Sequence, residues 1–322
     1  MLDSRHQSDT KMSAVTRTDH HQDWGGFLQL SHDYYNKTQD LDFFSKYQWI
    51  YAVQSILKAA GEMQQPTYGP DGEWLTPVYT FQSNTYSAAG TLGNNGFSSP
   101  VNYTGLVRSP FRPSDDSAIY DFGIAANMMF ARYLESTALI MAKLPNAPKG
   151  LDDEMSGLAN DIRTGIERWG IVKSPTGQKI YAYEVDGYGG RNLMDDANIP
   201  SLLSAPFLGY VDKNDPLYLR TRDFVLSKMN PWYCKGSVIS GVGSPHIRPC
   251  AVWPMSLIMQ AMTTDNYWEI FSAIKEVVAS TNGLGLIHES VDSNDETRWT
   301  RQWYVAPSTS CRRGHHQILT LF

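Results

Sequence analysis

Apolar side chains recur every three to four residues through much of this chain, the spacing that lays one face of an α-helix against a core. Trp24, Phe27, Leu28, Ser31, Tyr34 and Tyr35 share one such face, and Phe43, Tyr47, Ile50, Gln54 and Leu57 mark the next helix. A third helix is predicted from about Ser117 to Leu144, with Phe122, Met129, Tyr133 and Ile140 turned inward. A fourth opens on Asp152 and Asp153, whose carboxylates suit the positive end of the helix dipole. Its stripe is Met155, Leu158, Ile162, Ile166 and Trp169. Pro200 reads as a first-turn proline opening a helix through Leu208. Asp215-Pro216 opens another that carries Thr221, Phe224 and Met229. Pro254 starts one through Met262, and Asp265 caps one through Ala279.

The connecting segments, Thr67 to Ser99, Gly170 to Ile199 and Lys235 to Pro249, are long and rich in Gly, Pro, Asn and Ser. Ordered loops of that length are usually functional. Residues 76–85 and 178–184 are expected as short strands. No strand–helix–strand alternation occurs, so the pattern predicts an all-α fold of the toroid kind. Inner helices would ring a pit, and loops would line its mouth.

Composition narrows the function classes. The 322 residues are 42% hydrophobic, enough to bury a large core. Eighteen Tyr, twelve Phe and nine Trp offer flat faces that suit the C–H patches of sugar rings, although large cores use aromatics anyway. The net charge is −6 with no Lys/Arg run, which argues against nucleic acid as a partner. No apolar stretch approaches the roughly 18 residues of a membrane span. Residues 1–23 are polar and lack the apolar core of a signal peptide. Asn36-Lys-Thr38 and Asn102-Tyr-Thr104 fit the glycosylation tripeptide, which matters only in a secretory setting. The cysteines, Cys234, Cys250 and Cys311, have no zinc spacing. Cys234 and Cys250 bracket a Gly-rich loop that a disulfide would clamp, although free buried thiols are the default expectation.

Four polar motifs stand out. Ser109-Pro-Phe-Arg-Pro-Ser-Asp-Asp116 places two adjacent carboxylates behind stiffening prolines. Neighbouring carboxylates resist joint ionisation, which can keep one protonated as a general acid. Taken alone, Ser114 and Asp115 read more readily as helix caps. Met194-Asp-Asp-Ala-Asn-Ile-Pro-Ser201 carries a second pair, without the further Asp that a terpene-cyclase metal box needs. Gly241-Val-Gly-Ser-Pro-His246 has glycines that permit close backbone approach but lacks the Lys-Ser/Thr ending of a phosphate loop. His246 there binds a hydroxyl or ties the loop to itself. Leu286-Ile-His-Glu-Ser290 presents Glu289 at the end of an apolar run, as a general base or as a polar helix cap. No serine elbow, HExxH motif or metal-ligand histidine pair occurs, so no metal or cofactor is expected. Carboxylates remain the best candidates, and two of them can cleave an acetal.

Together and in order, Phe111-Arg-Pro-Ser-Asp-Asp116, Met194-Asp-Asp-Ala-Asn-Ile-Pro-Ser-Leu-Leu203, Gly243-Ser-Pro-His246 with Trp253-Pro-Met255, and His288-Glu-Ser290 with Thr300-Arg301 resemble glycoside hydrolase family 125, which has fungal members. The likeness covers roughly residues 24 to 303. It implies an (α/α)6 barrel and metal-independent, inverting exo-hydrolysis of α-1,6-linked mannose, with a mannose-containing oligosaccharide or N-glycan as partner. By matching position it implies Asp116 as the acid, with Asp115 as the adjacent alternative, and Glu289 as the base. Arg112, Asp196, Asn198, His246 and Arg301 are implied as pocket-lining residues. A non-catalytic glycan-binding relic and an (α/α)6 glycosidase of other specificity are the competing readings.

The ends depart from the family pattern. Its members carry an upstream Met-Trp-Leu-Arg-Asp-Ser segment, to which nothing before Trp24 corresponds. They also continue as an amphipathic helix after the position of Trp303, whereas residues 304–322 lack an apolar stripe. We therefore read residues 1–23 and 304–322 as segments outside a partial hydrolase domain at 24–303. The expectation is an incomplete gene model, poorly soluble and weakly active because inner apolar faces would be uncovered.

Overall fold

A computed structural model describes residues 21–79 and 92–302. Trp303, Cys311 and most of the two terminal segments lie outside the described residues, as do residues 80–85 of the first expected strand; residues 76–79 form none. Helix is the commonest regular structure among the described residues. The helices are α1 (His21–Thr38), α2 (Leu41–Lys46), α3 (Trp49–Met63), α4 (Ile124–Met141), α5 (Leu151–Gly165), α6 (Pro216–Val225), α7 (Pro254–Met262) and α8 (Tyr267–Ala279). Ten short strands accompany them, more than the all-α expectation allowed. They are β1 (Phe122–Gly123), β2 (Ile171–Lys173), β3 (Lys179–Tyr181), β4 (Glu184–Val185), β5 (Arg191–Asn192), β6 (Tyr233–Cys234), β7 (Gly241–Val242), β8 (Ala251–Val252), β9 (Ser290–Asp292) and β10 (Asp295–Thr300). All pair antiparallel, as β1–β4–β5, β10–β9–β8, β2–β3 and β6–β7.

Helix α4 is the hub. Fifteen of its eighteen residues are buried, so it is apolar nearly all round rather than striped, as a central helix must be. Helices α1 and α5 pack against it. Met128, Phe130 and Leu134 of α4 share one apolar core with Leu28, Ile162, Leu203, Phe224 and Leu257. Polar capping follows the sequence where it was strongest. Asp215 accepts from the Leu217 and Tyr218 N–H groups at 2.8 Å each, with Pro216 in the first turn of α6.

Several expectations are corrected. The third helix begins at Ile124 rather than Ser117, because Phe122 and Gly123 are drawn into a strand against β4. The second helix is two helices, α2 and α3. Tyr47 is extended between them and resets the phase. The inward face is therefore Phe44, Trp49, Val53, Ile56, Ala60 and Met63 together with Leu57, while Tyr47 is 65% exposed. No helix runs from Pro200 to Leu208; the segment is a series of turns. There the Asp195 carboxylate takes the Leu202 and Leu203 N–H groups, and the Ser201 and Ser204 hydroxyls take each other's N–H groups, local bonds that compete with a helix. Asn266, not Asp265, caps α8, and Asp265 pairs with Lys213 instead. Met229 falls beyond the end of α6 and is exposed.

Candidate active site

The first motif is a tight hairpin turn and not a helix entrance. Phe111 bridges to Ser117, the Arg112 N–H donates to the Asp116 carbonyl at 2.8 Å, and Asp115 adopts a left-handed φ of 65°. The capping interpretation of Ser114 and Asp115 therefore fails. What aims the turn is its approach. Asn127, inside α4, grips both backbone groups of Val107 at 2.9 Å, and the Ser109 N–H donates to the Asp121 carbonyl. A side-chain amide here stands in for the missing strand partner.

Glu184 of β4 anchors the same turn from below. It receives Arg112 Nε at 2.6 Å and Arg112 Nη2 at 3.2 Å, the Ile119 N–H at 3.3 Å and Asn192 Nδ2 at 3.1 Å. The Arg112–Glu184 pair is buried and bidentate, the geometry in which a buried ion pair holds. Burial works to lower the Arg112 pKa, but the Glu184 contact outweighs it and the net shift is upward. Arg112 thus reaches the site, yet its guanidinium fork is already engaged.

Asp116 is half-buried and Asp115 is exposed. Asp116 Oδ2 accepts from Ser114 Oγ at 2.8 Å, and Oδ1 is hydrogen-bonded to His246 Nδ1 at 3.2 Å. His246 therefore ties the third motif to the first. Below it, Ser244 joins the second motif as well. Ser244 Oγ accepts from the His246 N–H and from Asn198 Nδ2, both at 3.2 Å. Asn198 also donates to Asp196 Oδ1 through its N–H at 3.0 Å and its Nδ2 at 2.9 Å. Asp195, one residue earlier, takes the Leu202 and Leu203 N–H groups at 2.9 Å each.

Burial dominates the titration of this region. It pushes Asp196 up to about 6 against the opposing Asn198 and Ser244 contacts, and Asp195 up to about 7 against its two backbone donors. Asp121, bonded to Ser98 Oγ at 2.7 Å, is likewise pushed up to about 7 by burial.

The glycines of the third motif approach protein rather than open space. A Cβ on Gly243 would lie 2.6 Å from the Ala251 carbonyl oxygen, and the Gly243 carbonyl itself takes the Ala197 N–H at 3.0 Å. The base of this loop is closed by a disulfide between Cys234 and Cys250, with a Cα–Cα distance of 5.3 Å. The expectation of free thiols is thereby overturned. The ladder of β6 with β7 and the return through β8 bring the two cysteines together, which a separation of 16 positions conceals in the sequence.

Glu289 lies just before β9 and is buried, not at a helix cap. Its N–H donates to the Thr300 carbonyl at 3.1 Å, and Arg301 Nε donates to its Oε1 at 2.9 Å. Strand β9 pairs with β8 so that Val291 faces Val252. Glu289 therefore adjoins the segment of Trp253, whose indole is edge-on to the His246 ring at 6.5 Å. His288 stacks on Trp299 at 4.2 Å and 3°. Contacts run from Asp116 through His246 to Trp253, beside the strand that Glu289 precedes. Sequence reasoning missed Glu184 and Ser244. Only Ser244 had a local signal, the Gly-Ser-Pro-His context; Glu184 acts mainly through partners far off in the chain.

Among the described residues no group of three or more His, Cys, Asp or Glu is placed to hold a metal ion, and no helix is long and apolar enough to cross a membrane. The family model described as metal-independent alpha-mannosidase (GH125) matches residues 19–310. The chain is similar to the Meiotically up-regulated gene 157 protein of Schizosaccharomyces pombe, at 45% identity over 283 residues. That match covers 86% of this chain and 55% of the other, so the chain spans about half the length of this curated relative. It is also similar to a solved metal-independent alpha mannosidase from Streptococcus pneumoniae, held in a non-productive complex with alpha-1,6-mannobiose. The TM-score is 0.82 and the identity 32%, over 91% of this chain and 66% of that one. With the family model matching most of its length, the chain belongs to glycoside hydrolase family 125, the metal-independent alpha-mannosidases.

Proposed function

We propose that the chain forms the catalytic part of an inverting exo-α-1,6-mannosidase that removes terminal mannose from the non-reducing ends of mannose-rich glycans. Its helices belong to an (α/α)6 toroid whose pit is lined by the four motifs. Asp116 protonates the glycosidic oxygen, and Glu289 takes a proton from the attacking water. Inversion requires the two carboxyl groups roughly 6.5–9.5 Å apart, with the water between them. The observation that carries this reading is the Asp116–His246 contact, together with the β8–β9 register that sets Glu289 beside Trp253. Arg301 holds the Glu289 carboxylate in one orientation, and His246 with Ser114 holds that of Asp116. Arg112, Asp196 and Asn198 complete the pocket, and Asp115, pointing into solvent-exposed surroundings, is the weaker acid candidate. The mannobiose bound by the Streptococcus pneumoniae relative supports the linkage.

Nuclear magnetic resonance of α-1,6-mannobiose turnover tests this directly. Release of β-mannose before mutarotation is the expected result; α-mannose means retention and refutes the mechanism. Asp116→Asn and Glu289→Gln are each expected to lower turnover by on the order of 10²–10⁴ with an unchanged melting temperature. Preference for α-glucosides would move the chain to another specificity, and sugar binding without hydrolysis would favour a glycan-binding protein.

A further inference from the structure

Arg301 has an unusual backbone conformation just past the end of β10. Its φ is 51°, in the left-handed region that a residue bearing a Cβ seldom occupies. Such a conformation persists only where its surroundings over-determine it, and residues of this kind cluster at active sites. On the N-terminal side the ladder is firm. The Thr300 carbonyl takes the Glu289 N–H at 3.1 Å, and the Thr300 and Ser290 hydroxyls are hydrogen-bonded at 2.8 Å. On the other side the Arg301 carbonyl is hydrogen-bonded to His288 Nδ1 at 3.1 Å. A carbonyl only accepts, so the proton of this bond sits on Nδ1.

His288 is placed to keep that bond. The residue is buried, and its ring lies on Trp299 with 4.2 Å between centroids and 3° between planes, which fixes the plane in which Nδ1–H points. Its Nε2 has no hydrogen-bond partner among the described residues, so the bond to Arg301 is the polar contact that locates the ring. Rotation about the Arg301 N–Cα bond carries Cβ and carbonyl together. Pinning the carbonyl therefore pins the point from which the Arg301 side chain departs, and that side chain brings Nε to 2.9 Å from Glu289 Oε1. Exposure explains why a hold is needed. The Arg301 side chain is 65% exposed and that of Glu289 8%. A long exposed side chain left to itself holds a carboxylate weakly, through solvent screening and lost rotamer freedom. A backbone already aimed reduces that loss.

We propose that His288 is a positioning residue for the general base. Its Nδ1–H holds Arg301 in the left-handed conformation, the Arg301 guanidinium then meets Glu289 in one orientation, and the Glu289 carboxylate stays turned towards the water it activates. His288 acts through Arg301 and takes no proton in the reaction. The assignment rests on the mannosidase reading above, in which Glu289 is the base, and adds the residue that sets the base's partner. The line of contacts runs from His288 through the Arg301 backbone to its side chain and on to Glu289, residues that the pairing of β9 with β10 brings together. A core histidine without this part would owe its place to the Trp299 stack alone, and any flat ring would replace it.

Exchanging the ring tests this. His288→Phe keeps a ring to lie on Trp299 and removes the donor. It is expected to lower kcat on α-1,6-mannobiose about tenfold, with KM changed by no more than about twofold, since the contacts to the sugar are untouched. His288→Asn lacks the ring but returns an N–H at the position of Nδ1, and should recover most of the lost turnover. His288→Gln puts its amide at the position of Nε2 and should not recover it; it replaces His288→Phe in the test if the Phe variant does not fold. In an Arg301→Gln background, adding His288→Phe should change kcat no further, because the two residues act along one line. A crystal structure of the full chain carrying His288→Phe should show Arg301 outside the left-handed region and its Nε away from Glu289 Oε1. Wild-type kcat in His288→Phe, or an Arg301 conformation and Glu289 contact that survive it, overturns this proposal alone. So does a kcat for His288→Asn at or below that of His288→Phe. A wild type that leaves every mannoside intact removes the mannosidase reading, and this proposal with it.

Discussion

The helices α1, α4 and α5 and the loops between Glu184 and Arg301 are built by different physics. The helical part is held by apolar burial: Met128, Phe130 and Leu134 are fully enclosed, and backbone groups satisfy one another within each helix. The loop part holds its shape through side chains that bond to backbone. Asp195 serves Leu202 and Leu203, Asn230 serves Asp195, Val225 and Trp232, and Asp186 serves Tyr188 and Gly190. Non-directional burial makes a stiff frame that tolerates small shifts. Directional hydrogen bonds fix individual side chains, as a reacting pair of carboxylates requires. The loops carry the motifs, and the helices supply the frame they are fixed to. The joints between the two regions are single residues such as Asn127, on α4, and Glu184, on β4.

The largest expected effect comes from damaging the frame. Phe130→Ala empties a fully buried ring site and should lower stability by about 3–5 kcal/mol, read from urea unfolding. The Asp116–His246 contact should survive in whatever fraction remains folded, so activity per folded molecule should stay close to the wild-type value. A variant that is stable yet inactive would show that the helices shape the site directly and that the division drawn here is wrong.

The same division explains what could be read from sequence. Residues Trp24 to Tyr35, Asp152 to Ile162 and Pro254 to Met262 announced their helices, because burial on one face leaves a period of 3.6 residues. The four motifs announced the family through their residue types. The phase break at Tyr47 left no mark, since α2 and α3 each look regular on their own. Asp195 was visible as one of a carboxylate pair before Pro200, but not that it would hold the Leu202 and Leu203 N–H groups in a series of turns. Partnerships such as Arg112 with Glu184, 72 positions apart, have no periodic trace at all.

A smaller effect should follow from loosening the loops. The Cys234–Cys250 bridge closes the base of the segment bearing His246, and the Cys250 carbonyl takes the Ser293 N–H at 3.0 Å, just beyond β9. The bridge thus fastens the neighbourhoods of both candidate carboxylates. Replacing both cysteines by serine should cost about 3 kcal/mol for a loop of this length. Hydrogen exchange should quicken in the His246 loop and β9 while α4 amides stay protected. Uniform quickening across the chain would mean that the bridge stabilises the whole fold and has no particular hold on the site.

The last effect concerns charge, and it separates the two regions by pH. Burial raises the folded-state pKa of Asp121 to about 7, well above the ordinary carboxylate value near 3.9. The folded chain therefore binds this proton more tightly than the unfolded chain does. The associated stability is fully present below about pH 4 and is lost as pH climbs towards 7. Asp121→Asn removes the titration while keeping an acceptor for Ser98. Wild-type stability should accordingly fall relative to the variant, by at most about 1.4 kcal/mol per pH unit, as pH rises across that window. A helical substitution such as Phe130→Ala, which touches no ionisable group, should shift the stability curve by a constant amount over the same range. If the wild type and Asp121→Asn instead run parallel from pH 4 to 7, the Asp121 carboxyl is ionised throughout. In that case Arg108, the buried cation acting on it, supports the Ser109 turn electrostatically, and packing alone does not hold that joint.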